Sequence, residues 1–208
     1  MVPVVRIAQL ADARKVAEVH VATWQRAYRG LIPDDYLNSL SVDDRESTWR
    51  EILEKKACEL WVAAEDNSHE LAGWVAFGKC RDADQSASVG ELWAIYVAPN
   101  YWSSGVGRTL WLAARTRLIE RGFTEVTLWC LAGNERADRF YRNAGFLSTS
   151  TKNKFELGGA ILEEVRYHAR LAPSTPGAGE TPATAGSDSS RSQAASRAPG
   201  PLTSPRHQ

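Results

Sequence analysis

The sequence predicts a single mixed α/β domain over residues 1–171, followed by a tail without fixed structure over 172–208. Three observations carry that expectation. Apolar residues alternate between strand-like and helix-like spacing, in the order strand, helices, three strands, helix, strand, helix and two strands, with no internal repeat. Apolar residues make up 43% of the chain and include eight Trp, enough for a substantial core. Beyond 171 the composition turns to Pro, Ser, Thr, Ala and Gly, with Leu202 the one large aliphatic residue. Such a stretch cannot bury enough apolar surface to offset its ordering entropy.

Residues 4–9 are rich in β-branched side chains and open the domain as a strand. Asp12 stands where it would cap a first helix, whose Val16, Val19, His20, Thr23, Trp24 and Ala27 recur at helical spacing. Gly30 stops that helix and Pro33 opens a short second one. Ser41 with Asp44 then forms a capping pattern before a helix carrying Trp49, Ile52 and Leu53. Residues 60–64 and 71–77 flank the turn-rich 66–68 and read as a hairpin. A polar loop over 81–88 leads to a strand over 89–97, a glycine turn and a helical pattern over 110–119. A strand over 126–130 precedes a short helix over 134–143, which Gly145 ends. Two further strands, around 146–155 and 161–171, close the domain.

Lys plus Arg and Asp plus Glu number 25 each, so no overall basic field draws the chain to nucleic acid or a membrane surface. Cys58, Cys80 and Cys130 are odd in number and sit in apolar runs, which suits buried thiols in a reducing compartment better than a disulfide framework. No Cys/His cluster has zinc spacing, so no metal is expected. The first residues lack the apolar run of a secretory leader and no window has the length of a membrane span. The expectation is a soluble cytoplasmic protein.

Chemistry concentrates in two stretches. In the first, the strand over 89–97 runs into Pro-Asn-Tyr-Trp-Ser-Ser-Gly-Val-Gly-Arg-Thr-Leu, residues 99–110, and then a helix. Strand, tight turn and helix start together offer unpaired backbone N–H groups and a positive dipole end to a phosphate. Gly105 and Gly107 remove side chains that would hold the phosphate off. A turn chosen for geometry alone reads the same way. Two phosphate motifs are excluded: Leu110 stands where a dinucleotide fingerprint needs its third small residue, and no Gly-Lys-Ser/Thr triplet occurs. The second stretch, residues 134–146, sets Ala137, Phe140 and Tyr141 on one helical face, with Asn134 at the start and Gly145 at the end. Both aromatics fit a core. A tyrosine hydroxyl there also fits a proton donor.

Together these stretches resemble the GCN5-related N-acetyltransferase (GNAT) superfamily, over about residues 4–171. Asn134, Ala137, Phe140, Tyr141, Gly145 and Phe146 match Asn-x-x-Ala-x-x-Phe-Tyr-x-x-x-Gly-Phe, and Val97 followed by Pro99 matches the strand end before the turn. The turn matches Arg/Gln-x-x-Gly-x-Gly/Ala, except that Trp102 replaces the Arg or Gln and Ser103 sits where glycine is frequent. Residues 23–33 resemble a bacterial subgroup without an assigned substrate.

The resemblance implies a central, mostly antiparallel sheet of six to seven strands, splayed at an acetyl-CoA site, with about four helices. It implies an N-acetyltransferase that passes acetyl from acetyl-CoA to a primary amine by direct attack in a ternary complex, without a metal. The backbone of Ile95, Tyr96 and Val97 would pair with the pantetheine arm. The pyrophosphate would lie over Trp102, Ser103, Ser104, Gly105, Val106, Gly107, Arg108 and Thr109, with Asn134 and Phe140 completing the cofactor site. Trp102 is expected to weaken one charged contact. Tyr141 would be the general acid. Glu91 would be the general base, or else a plain polar residue of a strand edge. Trp24, Tyr28 and Tyr36, with Trp93 from the strand, would wall the acceptor site or else simply fill the core, while His20 and Cys130 read as structural. The acceptor would be a small-molecule amine or a protein or peptide amine, and relatives commonly dimerise. A rival class is an acyl-CoA-binding module without turnover, against which Tyr141 and Glu91 both argue.

Overall fold

The computed structural model describes residues 3–64 and 70–171. The expected hairpin turn at 66–68 and the tail over 172–208 lie outside the described residues. Among the described residues seven strands form one sheet in the order β1-β2-β3-β4-β5-β7-β6. They are β1 (Val4–Ile7), β2 (Glu59–Ala64), β3 (Leu71–Lys79), β4 (Val89–Val97), β5 (Glu125–Leu131), β6 (Leu147–Leu157) and β7 (Ala160–Arg170). All neighbours are antiparallel except β4 and β5. Among the described residues five α-helices join them, as the periodicity predicts and one more than the resemblance implies: α1 (Ala13–Ala27), α2 (Asp34–Asn38), α3 (Val42–Lys55), α4 (Val106–Glu120) and α5 (Glu135–Asn143). None of the described helices is long and apolar enough to cross a membrane.

The helices cover both faces because β3 is apolar on both. Val75 and Phe77 pack with Leu110, Ala114 and Leu118 of α4. Trp74 and Ala76 pack with Val16, Ala17 and Trp49 of α1 and α3. On the second face His20 is wholly buried among Trp24, Trp49, Trp74 and Tyr96, and its Nδ1 accepts from Trp49 Nε1 at 3.2 Å. Burial, helped by the charge of Arg45, pushes the His20 imidazole well below its usual pKa, so it packs as a neutral ring.

Two irregularities open the sheet where function would sit. The β3–β4 register slips so that Phe77 faces Leu92 while Ala76 faces Ala94, leaving Trp93 as the extra residue of a bulge. The parallel β4–β5 pairing stops just before it, covering only Val89, Gly90 and Glu91 against Glu125, Val126 and Thr127. A bulge bends and twists its strand, so β4 leaves β5 from Leu92 onward and a gap opens between them.

Candidate active site

A groove of about 510 Å³ occupies that gap on the α4 and α5 side. Its floor is built from the glycine turn. Pro99–Tyr101 makes one turn of 3-10 helix, Ser103 and Gly105 follow at φ +63° and +92°, and α4 begins at Val106. A helix start leaves its first N–H groups without helical acceptors. Those of Gly105, Val106, Gly107 and Arg108 have no backbone acceptor among the described residues. The turn is tight at Gly107: a Cβ there would lie 3.3 Å from the Phe140 ring and 3.5 Å from Val97.

The set of contacts expected along the turn narrows. The Ser104 N–H and hydroxyl both donate to the Tyr101 carbonyl, at 3.4 and 2.6 Å. The Thr109 N–H and hydroxyl both donate to the Gly105 carbonyl, at 3.0 and 3.3 Å. Neither residue has a donor left for a ligand. The Val106 side chain is in the core, which leaves it only its N–H. On β4, Ala98 donates to Ala72 of the β3 side, so the backbone groups of Ile95 and Val97 turn toward the gap and those of Tyr96 toward β3. The Val97 carbonyl is already taken, by the Thr23 hydroxyl at 3.1 Å and Trp102 Nε1 at 2.7 Å. The strand therefore offers Ile95 N–H and C=O and Val97 N–H, while Tyr96 contributes its side chain.

Trp102 has a further consequence. The guanidinium of Arg136, from the first turn of α5, lies 4.2 Å from its ring centroid. Positive charge thus returns to the turn from a different helix, onto the face of the residue that displaced it. Arg136, Arg139 and Arg108 all border the groove, and neither Arg136 nor Arg108 has a carboxylate partner among the described residues. Sequence reasoning passed over Arg136. The available signal was an arginine two residues after Asn134 in a chain whose turn had lost its own.

Asn134 caps α5, its Oδ1 accepting from Ala137 N–H at 3.1 Å, and Gly145 at φ +92° ends the helix. This placement sets Phe140 against Gly107 and brings Tyr141 to the gap. Tyr141 is 9% exposed and borders the groove, and its hydroxyl has no hydrogen-bond partner among the described residues. Burial first, then the Cys130 thiol and the Tyr96 and Tyr167 hydroxyls, hold its pKa well above the usual tyrosine value. At neutral pH it is a donor.

A second cavity, about 90 Å³, lies on the opposite face of the sheet. Trp24, Trp93, Trp129 and Phe155 wall it, and Tyr28, Ile95, Tyr96 and Tyr141 border both cavities. The two spaces therefore meet through the gap between β4 and β5. Tyr28 and Tyr96 both stand at that junction. Tyr36 is not at this junction; it packs on Gly158.

Glu91 is corrected. It is 1% exposed and borders neither cavity. Arg81 holds it through Nε at 2.9 Å, its backbone N–H at 3.0 Å and Nη2, and the same guanidinium stacks 4.1 Å over Trp93. A carboxylate held by two guanidinium contacts and a backbone N–H is poorly placed to collect a proton from an acceptor. Its place is structural, tying the loop after β3 to β4. The Cys130 thiol is pushed up to about 12 by burial, which fits its structural reading.

Comparison with known proteins decides the family. Residues 14–146 match the profile of the acetyltransferase (GNAT) family. The chain belongs to the GNAT family. It is an acyltransferase, and acetyl transfer is the family's reaction. An uncharacterized N-acetyltransferase of Bacillus subtilis, YuaI, is 31% identical over 161 residues, spanning 77% of this chain and 89% of YuaI. The spermidine N(1)-acetyltransferase of Thermoplasma acidophilum is 22% identical over 168 residues, 79% of this chain and 98% of that enzyme. Among solved structures, the Thermoplasma acidophilum PaiA N-acetyltransferase in complex with coenzyme A superposes with a TM-score of 0.64 at 22% identity, over 82% and 99% of the two chains. YncA from Salmonella typhimurium with acetyl-CoA superposes with a TM-score of 0.62 at 21% identity, over 86% and 99%. These likenesses place the seven-stranded GNAT fold on this chain.

Proposed function

We propose that this GNAT chain transfers acetyl from acetyl-CoA to a primary amine by direct attack in a ternary complex. The observation that carries the reading is the meeting of two cavities, one on each face of the sheet, at Tyr141. The larger groove suits the donor. Its free N–H groups and the positive end of α4 would receive the diphosphate, and Arg108 and Arg136 add charge. Ile95 and Val97 would bind the extended arm as an added strand. Solved GNAT neighbours carry CoA or acetyl-CoA, which supports the same donor here.

Bound acetyl-CoA supplies an acyl group on a thiol leaving group. The chain's part is to hold the thioester in the gap and to bring a neutral amine to it from the smaller cavity. A C–N bond forms and the C–S bond breaks. Tyr141 gives its hydroxyl proton to the departing sulfur and regains one released by the amine nitrogen, so the residue ends as it began.

Thermal stabilisation by acetyl-CoA but not by NAD or ATP, followed by thiol release with an amine panel, tests the reading. Initial velocities should give intersecting lines; parallel lines would overturn the ternary complex. Stabilisation with no thiol release for any amine would leave only an acyl-CoA-binding module.

A further inference from the structure

We infer that Trp102 and Thr23 are positioning residues for the donor. Together they close the Val97 carbonyl, so that an extended arm pairs with β4 in one register and its diphosphate falls on the start of α4. The inference rests on the larger groove holding acetyl-CoA. A carbonyl oxygen has two lone pairs, and here side chains from two different elements fill them. Trp102 Nε1 donates from the turn at 2.7 Å, and the Thr23 hydroxyl donates from α1 at 3.1 Å. Thr23 is 5% exposed, and both residues border the groove.

Val97 is the last residue of β4, so its carbonyl would be the next acceptor in the row that an added strand pairs with. Left open, it would let the arm pair one step further along the edge. Such a slip moves the arm by about 7 Å, two residues of strand, which is beyond hydrogen-bond reach of the original site. The diphosphate would then miss the turn, which touches Val97 at Gly107. A bare carbonyl oxygen would also turn partial negative charge toward an anion, and the two donors offset it. Trp102 has a single side-chain N–H and spends it on the strand rather than on the ligand. Its backbone N–H donates to Pro99 at 3.3 Å and its ring carries Arg136, so one residue ties β4, the turn and α5 together. Thr23 precedes Trp24, a wall of the smaller cavity, so the same carbonyl holds α1 to the donor edge.

The test compares acetyl-CoA with S-acetylpantetheine, which has the arm without the diphosphate. Both are titrated into the full chain and followed by ligand-observed NMR, which also measures weak binding of the fragment. Trp102→Phe removes the indole N–H and keeps an aromatic face for Arg136. It should weaken acetyl-CoA about tenfold, the loss expected of one hydrogen bond to a group left unsatisfied, and change S-acetylpantetheine by less than about twofold. Thr23→Val keeps the branched shape without the hydroxyl and should act in the same direction, by about threefold, since the indole donor remains. The salt dependence of acetyl-CoA binding should match wild type in both variants, because Arg136 stays in place. Equal weakening of the two donors would mean a structural role alone and would overturn the inference. Unchanged acetyl-CoA affinity in Trp102→Phe, or a lost salt dependence, would overturn it too. A wild-type chain that binds neither donor would sink the acetyl-CoA reading itself, and this inference with it, before any variant is compared.

Discussion

The two cavities that meet at Tyr141 are built from different materials. The larger groove is mostly backbone: N–H groups at the start of α4, the turned-out edge of β4 and a capped α5, with arginines at its rim. The smaller cavity is mostly side chains, drawn from α1, β4, β5, β6 and β7. A backbone site requires particular residues at fixed short spacing, because φ near +92° favours glycine and a tight turn favours small residues. A side-chain site has no such spacing. One half is therefore suited to a common donor and the other is free to change its acceptor.

The largest effect belongs to the shared residue. Tyr141→Phe should lower kcat by about 10² to 10⁴-fold while donor affinity and stability stay near wild type, because the hydroxyl has no described hydrogen bond to lose. A kcat within threefold would remove Tyr141 from the chemistry. Next is Glu91→Gln, which leaves Arg81 buried beside a neutral partner and should cost about 3–5 kcal/mol by denaturant unfolding. Its pH–rate profile should keep its shape. Loss of the acidic limb at unchanged stability would reinstate Glu91 as the base.

The aromatic floor beneath the acceptor side should be acid-sensitive. His20 is depressed well below its usual value in the folded chain, so the unfolded chain binds the extra proton. The contribution is fully present above about pH 6.5 and is lost as pH falls below it. His20→Gln should flatten that slope in unfolding measured on either side of that pH, and an unflattened slope would assign it elsewhere. On the donor side, Arg136→Ala should weaken acetyl-CoA binding about tenfold and make it less salt-dependent, as expected for a lost phosphate contact. Unchanged affinity would mean that Trp102 displaced a charge without replacement. The smallest effect is Ser103→Gly, which relieves a left-handed serine at φ +63° and should raise stability by about 0.5 kcal/mol. A loss instead would show that the serine side chain holds the turn.

Local rules reached the donor half well. Periodicity placed most of the strands and helices, and Gly105, Gly107, Asn134 and Gly145 marked the turn and both ends of α5 because each meets a local backbone demand. Ser104 and Thr109 were overcounted, since a residue in a turn does not reveal whether its donors are spent within it. Glu91 stayed open between two readings because its partner, Arg81, comes from beyond the end of β3, across the β3–β4 pairing. Arg136 was missed because it acquires its meaning from a partner distant in sequence, the Trp102 ring.

By itself the sequence determined what short-range geometry controls: a strand, a glycine turn and a helix start suited to phosphate, and a capped helix carrying Tyr141. The tertiary structure alone decided which side chains face one another. The order β4-β5-β7-β6 and the bulge at Trp93 set the width of the gap and closed Glu91 into an ion pair. The physical reason is range. Backbone conformation is fixed by a few neighbouring residues, whereas burial and charge pairing depend on contacts that only strand order brings together.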